Sequence, residues 1–341
     1  MALNETIQLG ELPNTMNAIV LEQPNEQMQL STIELELPTC DENEVLVKVE
    51  YVGLNPLDAQ FAKAGFCKWQ YPHTLGLDAV GIVVQANKGL FPSIGDRIMW
   101  HSSLAQQGVL SEFAKVPNYA VSIIPEEVPS STAATLPCAG MTALIALNKI
   151  QLSEGDTVFI EAGAGAVGQF AIQFAKQRGA NVFTTASKHN HKLVKKLGAD
   201  AVFDYRDKKL CEKIRAPLGP QGFDAVIDTV GGETTVRNIE LMRFCGRIAC
   251  LKTLPVLAPE LMFRKAPTIN IVSLGGAWLA NSLCAQQHLS FMSKSLLENV
   301  ANGEITTPEQ SIIDFNAQSI SKALEKQISG DFTGKQIVKL P

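Results

Sequence analysis

Three glycines that follow an apolar run constrain the fold of this chain more than any other sequence feature. Val158-Phe159-Ile160 leads into Gly163, Gly165 and Gly168, and a helix is predicted near residues 165–178. In a strand–turn–helix unit the first glycine permits a tight turn. The second lets backbone approach a pyrophosphate, and the third lets the helix pack on the strand. The helix N-terminus, with the amides of Ala166 and Val167, would then face the anion. The alternative is a glycine-rich turn packed for structural reasons only.

Strands and helices alternate from residue 156 onward. The connections between them are short and the strands are almost continuously apolar, which predicts a doubly wound parallel sheet that is buried on both faces. Strands are predicted at 157–161, 181–186, 201–204, 225–228 and 247–251, and helices near 165–178, 190–197, 207–215 and 233–241.

The two ends of the chain have a different pattern. The first 125 residues are β-rich, with strands predicted at 45–49 and 79–84, and they suit a small barrel or folded sheet. Helices are predicted from Ser130 through Ala134 and at 139–147, and later at 282–301 and 317–328, before a short strand at 336–340. A single strand needs a partner, so this last strand is expected to return to the first sheet. The domains are accordingly predicted as 1–129, 130–278 and 279–341, with the middle one inserted in the other two.

Composition narrows the class of protein. The length of 341 residues suggests two domains. The hydrophobic fraction of 46% excludes global disorder. It has no apolar run of about 18 residues, and its start lacks the basic and apolar regions of a signal peptide. Seven cysteines without C-x-x-C spacing indicate reduced thiols in a cytoplasmic protein. We therefore expect neither a membrane-spanning helix nor a disulfide framework.

The charge distribution suggests an anionic ligand for the middle of the chain. Residues 130–280 contain 18 Lys and Arg against 12 Asp and Glu, whereas the rest contains 11 against 22. Random surface variation would explain this asymmetry equally well. The overall net charge of −5 argues against general nucleic-acid binding.

The end of the second predicted strand of the sheet favours NADPH over NADH. An NAD site would have an Asp or Glu there for the ribose 2′-hydroxyl, but this chain has Ser187 and Lys188. A hydroxyl and a cation suit a 2′-phosphate, and Tyr205 could add its phenol. The alternative is that Lys188 is an ordinary solvated lysine. His189 and His191 are interpreted as exposed residues.

Short motifs spread along nearly the whole chain match one known superfamily. They lie at 53–58, 75–81, 95–97, 133–143, 163–168, 197–200, 228–232 and Gly334-Lys335. On these motifs the chain resembles the medium-chain dehydrogenase/reductase superfamily, in its zinc-independent quinone oxidoreductase, zeta-crystallin-like branch. The resemblance implies a Rossmann domain inserted in a GroES-like catalytic domain, assembled as homodimers or homotetramers. It also implies hydride transfer from NADPH to a quinone or α,β-unsaturated carbonyl, in the cleft between the domains.

The resemblance separates this chain from the zinc alcohol dehydrogenases. Those relatives have a Cys and then a His-Glu pair as ligands, where this chain has Asn55-Pro56 and Leu75-Gly76-Leu77-Asp78. Their four-cysteine lobe is missing too. Zinc needs converging thiolate, imidazole or carboxylate ligands, and His73 and Asp78 have no Cys partner. No metal site is therefore predicted.

Two residues are candidates for the chemistry. The Asn55 amide could donate to the carbonyl oxygen on which charge develops, or it could simply bond the backbone of its own turn. Some relatives have a Tyr a few residues later, where this chain has Gln60-Phe61. His101 could act as general acid beside Trp100, or it could be an ordinary loop histidine. Asp58 and Asp78 are interpreted as paired or capped carboxylates.

The resemblance adds further cofactor contacts and leaves rival functions open. Thr142 would lie near the nicotinamide ribose, Thr229 along the adenosine or ribose path, and Gly275 and Gly276 beside the nicotinamide. One rival is an enoyl-thioester reductase on the same scaffold. The other is a zeta-crystallin-like structural or RNA-binding protein that NADPH stabilises.

Overall fold

The computed structural model describes residues 6–219, 221–330 and 332–341. The N-terminal residues 1–5, which belong to the stretch considered above for a signal peptide, lie outside this part. The chain divides into two compact units. One, here called the split unit, comprises Met1–Met141 and Gly275–Pro341. The other, here called the inserted unit, comprises Thr142–Leu274.

The split unit is built mainly from β-strands. Its strands are β1 (Thr6–Gln8), β2 (Thr15–Leu21), β3 (Ser31–Glu36), β4 (Glu44–Gly53), β5 (His73–Thr74), β6 (Asp78–Asn87), β7 (Arg97–His101), β8 (Phe113–Pro117), β9 (Val121–Ile123), β16 (Gln310–Asp314) and β17 (Lys335–Lys339). Eight of them form one sheet in the order β16-β17-β4-β6-β7-β9, with β1 paired to β6 and β8 paired to β4. The other three form a second sheet in the order β3-β2-β5.

Helices flank these sheets. Helix α1 starts at Pro56, where the fixed φ of proline suits the first turn. The helices with residues in the split unit are α1 (Pro56–Ala64), α2 (Ser130–Ala133), α3 (Pro137–Lys149, which continues into the inserted unit), α9 (Gly276–Leu279), α10 (Leu283–Ala301) and α11 (Ala317–Ser329), with a 3₁₀ turn at Asn118–Ala120.

The inserted unit is a six-stranded, all-parallel sheet in the order β12-β11-β10-β13-β14-β15. Its central strands are apolar and buried, as is typical of parallel strands whose connecting helices cover the faces of the sheet. Its elements are β10 (Thr157–Ile160), α4 (Ala166–Gln177), β11 (Asn181–Thr185), a 3₁₀ turn (Lys188–Asn190), α5 (His191–Lys196), β12 (Ala201–Phe203), α6 (Leu210–Leu218), β13 (Phe223–Asp228), α7 (Glu233–Leu241), β14 (Met242–Cys250), α8 (Pro259–Lys265) and β15 (Thr268–Ile271).

The predicted fold class, a doubly wound parallel sheet inserted in a β-rich domain, is confirmed. The strand predicted at 336–340 is β17, and it pairs antiparallel with β4, with Val338 opposite Val52. Strand β14 starts five residues before its predicted start, and its course includes Cys245 at φ 56°. Among the described residues, no helix is both long and apolar enough to cross a membrane.

Candidate active site

The glycine turn of the inserted unit lies between β10 and α4, as the sequence predicts. The Gly163 amide donates to Thr185 O at 2.8 Å, and a side chain on Gly163 would overlap Thr184. Gly168 has no room either, because a Cβ there would overlap the Ala162 carbonyl. Gly165 differs, since among the described residues, apart from its chain neighbours, the nearest heavy atom to its Cβ position is Ala162 O at 3.3 Å. Two glycines therefore serve packing, and Gly165 leaves room for a ligand at the N-terminus of α4.

That N-terminus is suited to a phosphate. Ala166 and Val167 open the first turn of α4, so their backbone N–H groups belong to those without a partner inside the helix. Gln169 already bonds the loop, because its N–H donates to Gly165 O at 2.9 Å and its side chain donates to Ala164 O at 2.8 Å. The residues present thus fit the pyrophosphate of a dinucleotide.

The loops after β11 and β12 bring the next candidates together. The Ala186 amide donates to Phe203 O at 2.9 Å, which joins the ends of the two strands. Ser187 is buried and lies within 3.3 Å of both His189 Nε2 and Asn190 Nδ2. Lys188 is exposed. A hydroxyl and an ammonium at the carboxyl end of β11 suit a phosphate monoester.

Tyr205 lies in the loop after β12. Its side chain is 50% exposed, and the Arg206 guanidinium lies 5.0 Å from the ring centroid. His191 Nε2 lies 3.1 Å from Ala186 O and is partly buried, whereas His189 is exposed.

A buried carboxylate that lies directly before the glycine turn in sequence forms an ion pair. Glu161 is 2% exposed, is paired with Arg237, and accepts from Thr185 Oγ1 at 2.5 Å. Burial raises the pKa of Glu161, and the Arg237 charge opposes that shift. The sequence analysis missed both residues. The signal was present, because an acid directly after a buried strand needs a partner.

The remaining cofactor candidates are dispersed. Thr229 donates to Glu161 O at 3.0 Å and so lies at the same edge as the glycine turn. Thr142 is buried in α3, within the inserted unit. Gly275 and Gly276 belong to the split unit, where a side chain on Gly275 would overlap Leu104.

The split unit contains a buried polar cluster centred on Asp78. His101 Nδ1 lies 2.9 Å from Asp78 Oδ1, and Asn55 Nδ2 donates to Asp78 Oδ2 at 2.9 Å. The Cys138 amide donates to both carboxylate oxygens at 3.1 Å. Asp78 has no exposed surface, and His101 and Asn55 are 2% and 3% exposed. The structure therefore brings the two catalytic candidates, Asn55 and His101, onto one carboxylate.

Lys335 enters this cluster from β17. Its Nζ contacts Asn55 Oδ1 and lies 3.4 Å from Asp78 Oδ2, with the side chain 3% exposed. Burial raises the pKa of Asp78, but Lys335, His101 and Asn55 together outweigh that effect, and the pKa stays below its ordinary value. Asp78 is thus a carboxylate at neutral pH. Since it can only accept, the proton on His101 lies on Nδ1.

Asp58 is a second fully buried carboxyl in the split unit. It accepts from the Asn55 backbone amide at 2.7 Å at the start of α1. Burial raises its pKa to about 7, and the nearby Asp78 charge adds to the shift. This bond occupies the Asn55 main chain and leaves the Asn55 side chain for Asp78 and Lys335.

Family comparisons agree with this architecture. The alcohol dehydrogenase GroES-like domain family matches residues 41–126, and the zinc-binding dehydrogenase family matches residues 166–294. The structure of a quinone oxidoreductase from Coxiella burnetii is 28% identical, covers 96% of this chain and all of that one, and has a TM-score of 0.82. A mycobacterial protein in complex with NADPH is 25% identical over 95% of this chain and all of that one, with a TM-score of 0.84.

The first curated relatives match this chain over part of their length. A trans-enoyl reductase of Aspergillus terreus is 35% identical over 52% of this chain and 65% of its own length. The first curated relatives are matched over between 53% and 66% of their length. In fold, motifs and these matches, the chain is similar to the medium-chain dehydrogenase/reductases of the quinone oxidoreductase-like branch.

The zinc that one family name implies does not fit the residues of the split unit. The Asp78 carboxylate is occupied by four donors, one of them the Lys335 ammonium, which would repel a divalent cation. His73 is stacked on Trp69 at 3.8 Å, and burial lowers its pKa to about 4. In the described part of the chain, no group of three or more His, Cys, Asp or Glu residues could hold a metal ion.

Proposed function

We propose that this chain is a zinc-independent, NADPH-dependent reductase that transfers a hydride to a quinone or a related α,β-unsaturated carbonyl. The observation that carries the proposal is the open backbone at Gly165 ahead of α4, which suits a dinucleotide pyrophosphate. The relatives named above for quinone and enoyl reduction, and the NADPH complex, support it.

Ser187, Lys188 and Tyr205 support NADPH over NADH. All three follow the carboxyl ends of β11 and β12, and a 2′-phosphate would receive one cation and two hydroxyls there. Thr142, Thr229, Gly275 and Gly276 are proposed as further cofactor contacts.

The bound cofactor would supply the hydride, and the chain would manage the charge that then develops on the acceptor oxygen. His101 is the proposed proton donor. Asp78 holds the proton on Nδ1, so protonated His101 releases its other proton from Nε2 and returns to a defined tautomer.

The Asn55 amide N–H groups already have acceptors within the protein. Its amide N–H groups face Asp78 Oδ2 at 2.9 Å and Gly53 O at 3.3 Å, and its oxygen accepts from Lys335. We propose that Asn55 assists the reaction by holding Asp78 and that direct donation to the acceptor requires one of these bonds to open.

The test is NADPH consumption by chelator-treated protein, with a quinone and an enone side by side. Turnover with either acceptor, unchanged by added Zn²⁺, supports a metal-free reductase. Consumption that requires Zn²⁺ would contradict the zinc-independent assignment. Absence of turnover with both acceptors and with an enoyl thioester would overturn the reductase assignment in favour of a non-catalytic NADPH-binding role.

The Aspergillus relative favours one second candidate, an enoyl-thioester reductase. The same assay with an enoyl thioester distinguishes the two, because the preferred acceptor has the higher kcat/KM. A cytoplasmic location and a homodimer or homotetramer are proposed from the cysteine usage and the family resemblance. Neither a nucleic acid nor a membrane is proposed as a partner.

A further inference from the structure

Lys335 is a buried cation that the reaction proposed above does not use directly. It lies 280 residues after Asn55 in sequence and reaches the Asp78 cluster because β17 pairs with β4, with Ile337 opposite Gly53. A side chain on Gly53 would lie 3.2 Å from Lys335 Cε and would overlap Ala134 O. The glycine therefore leaves room for the lysine to pass. A 3% exposed ammonium must be held by acceptors, and here they are Asn55 and Asp78.

The contact with Asn55 fixes the orientation of an amide. The Asn55 oxygen faces the Lys335 ammonium, so its nitrogen must face Asp78 Oδ2 and Gly53 O. Without the cation, the amide could rotate and lose its bond to Asp78. Lys335 therefore controls two of the contacts to Asp78, its own and that of Asn55.

The contact with Asp78 extends to His101. Asp78 Oδ2 faces Asn55 and Lys335, while Oδ1 faces His101 Nδ1. A carboxylate held at Oδ2 presents Oδ1 in one direction, and this fixes the imidazole.

We propose that Lys335 is a positioning residue of the active site: its ammonium holds the Asn55 amide and the Asp78 carboxylate so that His101 is oriented for proton transfer to the acceptor oxygen. This inference rests on the proposed reductase function. It assigns a role in that reaction to a residue of β17, far in sequence from both catalytic candidates. No bond to Lys335 changes during the reaction, and the proton travels from His101 to the substrate.

The test compares Lys335→Met with Lys339→Met, a control at the exposed end of the same strand. Methionine is about as long as lysine but has no charge. We expect kcat to fall by about 10- to 100-fold, since a positioned acid contributes roughly 10²–10⁴-fold. NADPH Kd should change less than about twofold, because the glycine turn lies in the inserted unit. The solvent deuterium isotope effect on kcat should rise as proton transfer slows. The control should resemble wild type in all three.

A double variant tests whether Lys335 acts through His101. In a His101→Asn background, Lys335→Met should cost less than about twofold more in kcat, because the positioned group is already gone. The proposal would be overturned if Lys335→Met lowered kcat as much in the His101→Asn background as in the wild-type background, or if kcat of Lys335→Met equalled that of wild type.

Lys335→Gln, which keeps a donor without charge, repeats the test if the methionine variant fails to fold. If both variants lose cooperative melting and NADPH binding, Lys335 serves folding alone and the proposal is overturned. Inactive wild-type protein would instead overturn the reductase function, and this role with it.

Discussion

Asp58 combines full burial with a pKa of about 7. Folded protein therefore keeps the Asp58 proton over a range in which unfolded protein, with a carboxyl of ordinary pKa near 3.8, has released it. Between these two values the folded state binds more protons, so its stability falls as pH rises. The cost of ionising Asp58 is fully present above about pH 7.

We expect Asp58→Asn to remove this loss of folding stability with rising pH. The asparagine oxygen can still accept from the Asn55 amide, but it carries no charge. The unfolding free energy of the variant relative to wild type should therefore increase from pH 4 to 7, by at most about 1.4 kcal/mol per pH unit. Urea unfolding across this range measures it, with Asp314→Asn on an exposed strand position as control. A difference that is constant with pH would contradict the assignment.

Lys188 determines cofactor choice if the proposed 2′-phosphate site is right. Lys188→Glu should raise the KM for NADPH about tenfold, since a charge-assisted bond is replaced by repulsion, and should change the KM for NADH less than about twofold. Steady-state kinetics with both cofactors measures this. Lys192→Glu, on an exposed position of the neighbouring helix α5, controls for general charge. An unchanged preference in Lys188→Glu would remove Lys188 from the cofactor site.

Arg237 links helix α7 to the end of β10 through its ion pair with Glu161. Arg237→Gln would leave a 2% exposed carboxylate without its cation, and we expect a loss of about 3 kcal/mol in unfolding free energy. The lower end of the usual range applies because Arg237 is partly solvated, with its side chain 26% exposed. The double variant Glu161→Gln/Arg237→Gln should recover most of the loss. Urea unfolding of both variants tests this, and a double-variant loss as large as that of Arg237→Gln would contradict the unpaired carboxylate as its cause.

The elements also show what local sequence can predict. The order of β10, α4, β11 and β13 follows from apolar runs, glycine turns and helix periodicity, all of which are local. Helix α1 was not predicted, although Pro56 at its first position is a start signal. Strand β15 was missed because its four residues are only partly buried and lack a clear apolar run.

The glycine turn could be predicted from the sequence, but the Asp78 cluster could not. The turn is continuous in sequence, so the spacing of its glycines is enough to predict a dinucleotide-binding turn. The cluster joins Asn55, Asp78, His101 and Lys335, which come from three strands and a helix cap. Sequence analysis identified Asn55 and His101 separately, but only the pairing of β17 with β4 places the lysine beside them.

That pairing has a consequence during protein synthesis. Strand β4 is made early, and the Tyr51–Gly53 end of one of its edges is later covered by β17, after the whole inserted unit. At roughly 5–20 residues per second, the ribosome needs about 15–60 s to reach Lys335 from Gly53. Throughout that interval the nascent chain has Tyr51–Gly53 of β4 without their β17 partners and an Asp78 carboxylate without its ammonium. The Asp78 cluster would therefore be completed only after the inserted unit has been synthesised.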